Sequence, residues 1–287
     1  MKVYILPIKQ AYRPAHQSFK YPGHNSDYGV EQDFFRFLSG QKELISSSPD
    51  ASDWHYLPAF WTRWHLNHGY GKNGLLELQQ EMDRVILDGR KTFTICQYDA
   101  GPLVSLHETI VFWASRKTVD GMDIPLLCKP HSKLLFPPHK KYLASFVGRL
   151  FTHPVRQQMA DSLKGRLEFF IYDGNRGARF FVRKMLESYI ALCPRGYGGS
   201  SFRFFEAMQL GIVPFLIGDI DTRPFKKFIN WGKVSFYSNS VSDFTNVLNS
   251  STKSDLLSMG KRAEMVWKEQ LTYQKWCQYV IKELEEL

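Results

Sequence analysis

Residues 193–215 carry the most informative pattern in the chain: Cys193-Pro-Arg-Gly-Tyr-Gly-Gly-Ser-Ser-Phe-Arg-Phe-Phe-Glu-Ala-Met-Gln-Leu-Gly-Ile-Val-Pro-Phe215. Its pattern predicts a strand, a glycine-rich turn, a helix and a second strand. The glycines of the turn adopt backbone angles that other residues avoid, and they let a ligand approach the main chain: Gly196, Gly198 and Gly199. Ser200 or Ser201 is a natural N-cap, so the helix is predicted to begin there with free N–H donors that suit a phosphate.

Two charged side chains follow on the predicted helix. Arg203 lies in the first turn, where its guanidinium could reach a diphosphate. Glu206 comes about one turn later, and a carboxylate can accept both hydroxyl groups of a ribose. Ligands of open α/β sheets bind at the carboxyl ends of the strands, which is where this turn lies. The stretch therefore predicts a nucleotide site, against the plainer interpretation that Glu206 is a solvated residue on an ordinary helix.

Strands and helices alternate on both sides of this stretch, which predicts an α/β fold with parallel sheets covered by helices. Predicted strands cover residues 3–8, 91–96, 109–114, 142–148 and 167–172, and predicted helices cover 31–38, 74–87, 154–163, 180–185 and most of 256–287. The aromatic run 54–64 is ambiguous between strand and helix. We predict an N-terminal lobe at 1–124, a Pro-rich linker at 125–141, a nucleotide-binding lobe at 142–268, and a last helix at 269–287 packed on the N-terminal lobe.

Composition agrees with a two-lobed globular chain that handles an anionic ligand. The 287 residues are 44% hydrophobic and 23% charged, with a formal net charge of +9. Residues 1–124 hold 13 Lys and Arg against 14 Asp and Glu, whereas the rest holds 24 against 14. The basic C-terminal half suits a diphosphate, a nucleic acid or a membrane surface. Its basic residues are scattered, which argues mildly against a nucleic-acid arm.

Cysteine spacing and hydropathy indicate in which cellular compartment the protein is expected. The four cysteines have neither zinc-pair nor Cys-x-x-Cys spacing, so we interpret them as reduced core thiols: Cys96, Cys128, Cys193 and Cys277. The first residues are too soon interrupted for a signal peptide, and no stretch approaches the length of a membrane span. We therefore expect a cytoplasmic protein, and its oligomeric state is left open.

The motifs together resemble the exostosin family, glycosyltransferase family 47. The C-terminal signature of that family is similar to the run Pro194-Arg-Gly, Ser201-Phe-Arg, Glu206-Ala, Gly211 and Pro214. Flanking matches are Phe146-Val-Gly-Arg149 with Arg156, then Asp219, Pro224-Phe225 and Trp231, and more faintly Tyr28, Glu31 and Tyr98-Asp-Ala-Gly101. The resemblance is most specific over residues 123–237.

The resemblance implies a GT-B fold, in which two Rossmann-like lobes flank a cleft. It implies an inverting, metal-independent transfer from a UDP-sugar to a glycan acceptor, with no other cofactor. Family members are usually membrane-anchored. Because no stretch of this chain approaches a membrane span, we expect it to be a short soluble member. The family uses xylose, galactose, arabinose and glucuronate; we take xylose as a working expectation, although no residue in the chain selects it.

The predicted donor site gathers residues from the C-terminal half. Arg149 and Arg203 are expected to bind the phosphates, together with the main chain of Ser200 and Ser201 at the helix start. Glu206 is expected to bind the ribose. The remaining candidates for donor binding are Arg156, Arg195, Gly196 and Tyr197. For Arg156 a surface salt bridge is an equal alternative.

An inverting transfer also needs a general base, expected from the N-terminal lobe. Asp99 after a strand is the first candidate and Asp27 before the first helix the second, followed by His16 and His24. A turn role for Asp99 and a helix-cap role for Asp27 are equally compatible with the sequence. The aromatic residues of 54–64 could form an acceptor platform, although core packing explains them better.

Several other patterns and functions compete with this prediction. Asp219-Ile-Asp221 spells the Asp-x-Asp pattern that holds a metal in another fold, but its late position after a strand argues against metal binding here. His131, His139 and His153 lack ligand spacing and are predicted to be solvated or to face phosphate. The alternative functions are a nucleotide-sugar epimerase of the same fold and a non-catalytic module that binds a polyanion or glycan.

Overall fold

A computed structural model describes residues 1–17, 29–131, 134–248, 251–272 and 274–287. The chain forms two compact units: Met1–Leu127 with Tyr273–Leu287, and Cys128–Thr272. The division falls between Leu127 and Cys128, whereas the sequence places a linker over 125–141. Most of that Pro-rich segment therefore belongs to the second unit, and the last helix belongs to the first.

The first unit is built on a parallel sheet whose described strands follow chain order: β1 (Val3–Ile5), β2 (Trp54–Tyr56), β3 (Thr92–Cys96), β4 (Ile110–Trp113) and β5 (Met122–Asp123). Its helices are α1 (Val30–Gly40), α2 (Trp61–Asn67), α3 (Leu75–Val85) and the C-terminal α9 (Lys275–Glu285). The ambiguous aromatic run is thus a strand followed by a helix. The two-residue strand β5 is too short to be predicted from periodicity.

Aromatic rings fill the core of the first unit. The Phe34 ring of α1 lies 5.1 Å from the ring centroid of Tyr56, 5.8 Å from that of Phe93 and 6.0 Å from that of Trp276. Trp276 and Tyr56 are fully buried, so α9 completes this core. The Trp54 indole N–H also donates to the Leu284 carbonyl over 3.1 Å, which fixes the end of the same helix.

The second unit is a separate doubly wound α/β layer. Its strands are β6 (Tyr142–Gly148), β7 (Phe169–Asp173), β8 (Ser188–Pro194), β9 (Val213–Ile217) and β10 (Phe236–Ser238). Its helices are α4 (Pro154–Ser162), α5 (Ala178–Leu186), α6 (Phe202–Gln209), α7 (Val241–Leu248) and α8 (Lys253–Val266), and a π-helical turn, Trp267–Leu271, follows α8. Neither β10 nor α7 is predicted from the sequence. For β10 the reason is its length, since a three-residue edge strand carries almost no periodic signal.

The strands of the second unit are all parallel, in the order β10-β9-β8-β6-β7. The chain therefore adds β7 on one side of β6 and then continues with β8 on the other side. This is the flavodoxin-like order of doubly wound sheets, with a topological switch point between β6 and β8. The predicted fold class is confirmed in its parts: both units are Rossmann-like α/β layers, the building blocks of the GT-B fold.

Local sequence explains where the helices of the second unit begin. Pro154 occupies the first turn of α4, where its fixed backbone angle suits the helix and its missing N–H is not needed. Helix α8 begins with a capping box, in which the Thr252 hydroxyl accepts the Asp255 N–H over 3.2 Å and the Asp255 carboxylate accepts the Thr252 N–H over 3.2 Å.

An ion cluster on α3 makes the stability of the first unit depend on pH. The buried Glu81 carboxylate accepts hydrogen bonds from Arg84 over 2.6 Å and from the Lys9 N–H over 2.9 Å. The Arg84 bond is the main reason that the pKa of Glu81 is lowered to about 2. The native state therefore gains stability above pH 4.5, and it loses that gain as the pH falls towards 2.

We expect Glu81→Gln to lower the free energy of unfolding by about 2 kcal/mol at pH 7. The difference from the wild type should shrink as the pH falls from about 4.5 to 2, because the wild-type carboxylate then becomes protonated. Urea unfolding across this range measures it. Glu77→Gln, an exposed change on the same helix, is the control and should change little. A difference that stays constant with pH would contradict the assignment.

Candidate functional site

The switch point of the second sheet brings two predicted arginines to one edge. Arg149 directly follows β6, and Arg195 directly follows β8. Because β6 and β8 are parallel neighbours, both residues lie at the carboxyl edge of the sheet. The loops after the two strands also meet there, since a Cβ added to Gly196 would lie 3.9 Å from Thr152 Cγ2. This edge is where doubly wound sheets bind their ligands.

Arg156 of α4 joins the ends of these two strands. Its guanidinium donates to the carbonyls of Arg195 over 2.9 Å, Arg149 over 2.9 Å and Pro194 over 3.4 Å. Three backbone carbonyls thus accept hydrogen bonds from the buried Arg156 side chain. These bonds hold the loops after β6 and β8 in place. Burial, together with the nearby charge of Arg203, lowers the pKa of Arg156 to about 9. The surface salt bridge that was the alternative for this residue is therefore wrong.

Arg203 lies in the first turn of α6, buried against the end of β6. Its Nη2 donates to the Val147 carbonyl over 2.5 Å, and its guanidinium lies 4.4 Å from the centroid of the Phe146 ring. The Nε–H finds no hydrogen-bond partner among the described residues. A Cβ on Gly148 would lie only 2.5 Å from Arg203 Nη2, so a glycine at this position is what lets the guanidinium reach the strand end.

Arg195 is also buried at this edge, and it is partly neutralised. Its Nη1 contacts the Asp219 carboxylate, whereas its Nε has no partner among the described residues. Its side chain packs against Gly218, which directly follows β9: an added Cβ there would lie 3.1 Å from Arg195 Cδ. Arg149, in contrast, is exposed, with its guanidinium 5.7 Å from the centroid of the exposed Phe151 ring.

The beginning of α6 lies at the same edge. Ser201 occupies the N-cap position with extended backbone angles, as predicted, but its side chain makes no capping hydrogen bond. Ser200 and Ser201 are both buried, whereas Tyr197 in the glycine-rich turn is 66% exposed. The first N–H groups of α6 are therefore not capped by a serine hydroxyl, and such groups favour an anion.

Glu206 is buried one turn after Arg203. Its Oε1 lies 2.7 Å from His131 Nε2, and both side chains are only 3% exposed. The Cys128 thiol is also close: burial is the first cause that raises its pKa, and the Glu206 charge and hydrogen bond are the next. Of the two roles predicted for His131, solvated or facing phosphate, the first is therefore wrong. No local pattern predicts this contact, because the two residues lie 75 positions apart.

The other two histidines of this basic segment behave differently. His153 is the N-cap of α4, where its Nδ1 accepts the Val155 N–H over 3.3 Å. Burial lowers the pKa of His153, and the charge of Arg195 lowers it further. His139 is exposed.

Of the four candidate bases, the structure describes Asp99 and His16. Asp27 and His24 lie outside the described residues. Asp99 follows β3, as predicted, and its Oδ2 lies 3.1 Å from Lys117 Nζ. His16 is exposed. Among the aromatic residues considered for an acceptor platform, Tyr56 and Trp61 are fully buried and belong to the core.

Glu31 is a buried carboxylate whose role the sequence did not reveal. It accepts from the Thr62 hydroxyl over 2.9 Å and from the Gln97 N–H over 2.9 Å. Through these bonds it ties the beginnings of α1 and α2 to the end of β3. Burial raises the pKa of Glu31 to about 7, against the opposing effect of these hydrogen bonds.

The carboxylates of the Asp-x-Asp pattern are both engaged by arginines. Asp219 contacts Arg195, and Asp221 binds Arg223 through two bonds of 2.9 Å each. The described part of the chain contains no group of three or more His, Cys, Asp or Glu residues that could hold a metal ion. None of its helices is long and apolar enough to cross a membrane.

The fold and the side chains at the switch point together define a class: an α/β protein of two Rossmann-like units, with a cluster of buried arginines at the switch point of the second. A model of the Exostosin GT47 domain matches residues 1–250. The chain belongs to the exostosin GT47 family, as its signature predicted. Exostosin-1 of Drosophila melanogaster is 24% identical over 157 residues, which cover 46% of this chain and 21% of that protein. The match thus spans about a fifth of the curated relative.

Similar solved structures come from bacterial proteins. The crystal structure of Anabaena HepE in complex with UDP has a TM-score of 0.43 at 11% identity, with both chains fully covered. A mutant of S. aureus TarM, in complex with fondaparinux, α-GlcNAc-glycerol and UDP, has a TM-score of 0.41 at 8% identity. That match covers 68% of this chain and 56% of TarM.

Proposed function

We propose that this chain is a glycosyltransferase that transfers a sugar from a UDP-sugar to a hydroxyl group of a glycan. One observation carries the proposal: the buried guanidinium groups of Arg195 and Arg203, whose Nε–H donors have no partner in the described part of the chain, meet a helix start without a side-chain cap at the β6–β8 switch point. Buried cations need a paired anion. Nucleotides are typical ligands of this edge in doubly wound sheets, and a nucleoside diphosphate supplies the anion. Family membership supports the same activity.

The donor is proposed to bind the second unit through its nucleotide. The diphosphate accepts from Arg203 Nε, from Arg195 Nε and from the first N–H groups of α6. The ribose hydroxyl groups donate to Glu206 on the same helix. Tyr197 and Arg149, both exposed beside this edge, are proposed to contact the donor from outside. Arg156 keeps the two loops in register, and its contribution is to position them.

The reaction is proposed to be an inverting displacement at the anomeric carbon. The acceptor oxygen forms the new bond to that carbon, the bond to the UDP oxygen breaks, and the acceptor proton passes to a carboxylate. The leaving UDP gains negative charge, which the guanidinium groups and the α6 N-terminus stabilise without a metal ion. Asp99 and Asp27 of the first unit remain the candidate bases, and the acceptor is proposed to bind that unit.

Donor binding is tested by thermal unfolding with a panel of nucleotides. UDP at about 100 times its dissociation constant should stabilise the native state by about 2.7 kcal/mol. This corresponds to a rise in Tm of about 5–10 °C. UDP-xylose, UDP-galactose and UDP-glucuronate should behave similarly and should be slowly hydrolysed, with or without EDTA. Equal stabilisation by GDP-sugars, or a strict need for a divalent ion, would contradict the proposal.

The same panel separates the competing functions. Formation of an epimer from the donor alone would indicate an epimerase. Salt-dependent binding of a polyanion without any response to UDP would indicate a non-catalytic binding module. Xylose is the first donor to test, and cytoplasmic location is proposed on the cysteine usage only.

A further inference from the structure

The segment that opens the second unit closes on the nucleotide helix. Besides the 2.7 Å contact between His131 Nε2 and Glu206 Oε1, the His131 N–H donates to the Gln209 side chain over 3.4 Å. Cys128 lies beside the same carboxylate. Residues 128–131 thus contact α6 at Glu206 and at Gln209, on the buried side of the helix.

The orientation of the His131 ring is fixed from two sides. A carboxylate can only accept, so the ring nitrogen that faces Glu206 carries the hydrogen. A further neighbour is the Phe181 ring of α5, whose centroid lies 5.5 Å from that of His131. The Arg203 guanidinium lies 5.7 Å from the centroid of the same Phe181 ring. His131 therefore belongs to the packed cluster that also holds the proposed phosphate-binding arginine.

We propose that His131 is a positioning residue, which holds the Glu206 carboxylate in the orientation that accepts the ribose hydroxyl groups. This inference rests on the proposed function. A glutamate has three rotatable bonds, and the charge of Arg203 attracts this carboxylate on the same helix. A fixed donor at Oε1 opposes that rotation.

A purely structural role would predict something different. If His131 only fastens residues 128–131 to α6, its loss should weaken every ligand of the second unit to the same extent. If it orients Glu206, its loss should weaken the recognition of the ribose hydroxyl groups specifically. Ligands that lack one hydroxyl group separate these two roles.

The experiment measures the dissociation constants of UDP, 2′-deoxy-UDP and 3′-deoxy-UDP by calorimetry, for the full chain and its variants. In the wild type, removal of one hydroxyl group should weaken binding about 30-fold, because a charged acceptor loses its partner. In His131→Leu this penalty should fall to about threefold or less. His131→Gln should keep most of it, since the glutamine amide can place an N–H where Nε2 was. His131→Asn is the matched control, because its shorter amide does not reach Glu206.

Each outcome decides the matter. Equal weakening of all three ligands in His131→Leu, or a glutamine variant no better than asparagine, would overturn the role of His131 and leave the proposed function intact. A wild type that binds UDP and both deoxy forms equally would overturn the ribose role of Glu206 as well. If His131→Leu does not fold, the comparison of His131→Gln with His131→Asn gives the same answer.

Discussion

Replacing Arg203 with leucine should lower kcat/KM for donor hydrolysis by two to three orders of magnitude and raise the Kd of UDP by a similar factor. Mutational loss of one buried donor to a developing negative charge has effects of about this size. Arg203 is the buried arginine of α6 whose Nε lacks a partner among the described residues, so it is the donor best placed for a phosphate.

The same substitution should leave the fold almost as stable as before. The guanidinium is buried beside a second guanidinium, that of Arg156, and burial lowers the pKa of both. Leucine removes this desolvated charge, which favours folding, but it also removes the hydrogen bond to the Val147 carbonyl, which costs about 1 kcal/mol. We therefore expect the free energy of unfolding without ligand to change by less than about 1 kcal/mol. Urea unfolding measures it.

Two variants control this prediction. Arg203→Lys keeps the charge but loses the Nε donor, and it should recover only part of the activity. Arg262→Leu removes an exposed arginine of α8 that also donates to one backbone carbonyl, that of Lys233 over 3.0 Å. It should leave UDP binding unchanged. If Arg203→Leu bound UDP as the wild type does, the phosphate site would have to lie elsewhere.

The largest loss of stability is expected from Gly260→Ala on α8. A Cβ at this position would lie 2.2 Å from the Gly211 carbonyl oxygen and 3.1 Å from its carbon. Neither group can turn away, since both belong to the backbone at the junction of α6 and β9. Gly211 is itself fixed there with a φ of +69°. We expect a loss of about 3 kcal/mol, or a fall in Tm of about 10 °C, because the helix has to move outward.

Calorimetry of Gly260→Ala beside Gly232→Ala tests this prediction. Gly232 lies in the same unit and has an ordinary φ, and its added Cβ would meet only a side-chain oxygen at 3.6 Å. The control should therefore change the Tm by no more than about 2 °C. A similarly small change for Gly260→Ala would mean that α8 is not held against the α6–β9 junction as described.

The sequence predicted the parts of the site that are local. The buried run 142–148 and the strand–turn–helix–strand pattern of 193–217 carry their own periodicity, glycines and cap, so these elements fall where expected. The position of Arg203 in the first helical turn follows from the same pattern. Chemistry that depends only on near neighbours in the chain was therefore available from the sequence.

Contacts between distant residues were not available. Nothing in the sequence pairs His131 with Glu206, or shows that the Gly260 position faces the Gly211 carbonyl. Arg156 illustrates the same limit: its charge suggested a ligand or a surface salt bridge, but its atoms donate to three backbone carbonyls. Such roles depend on how the strands are ordered, and a single sequence does not specify that order.

The return of α9 to the first unit has a consequence for the order in which the protein can mature. On the ribosome, all of residues 128–272 emerge before the tryptophan at 276 that fills the first core. The unit that begins at the N-terminus is therefore the last whose interior can close. Until α9 leaves the exit tunnel, the Phe34 ring lacks its Trp276 neighbour, and this gap in the first core is open to chaperones.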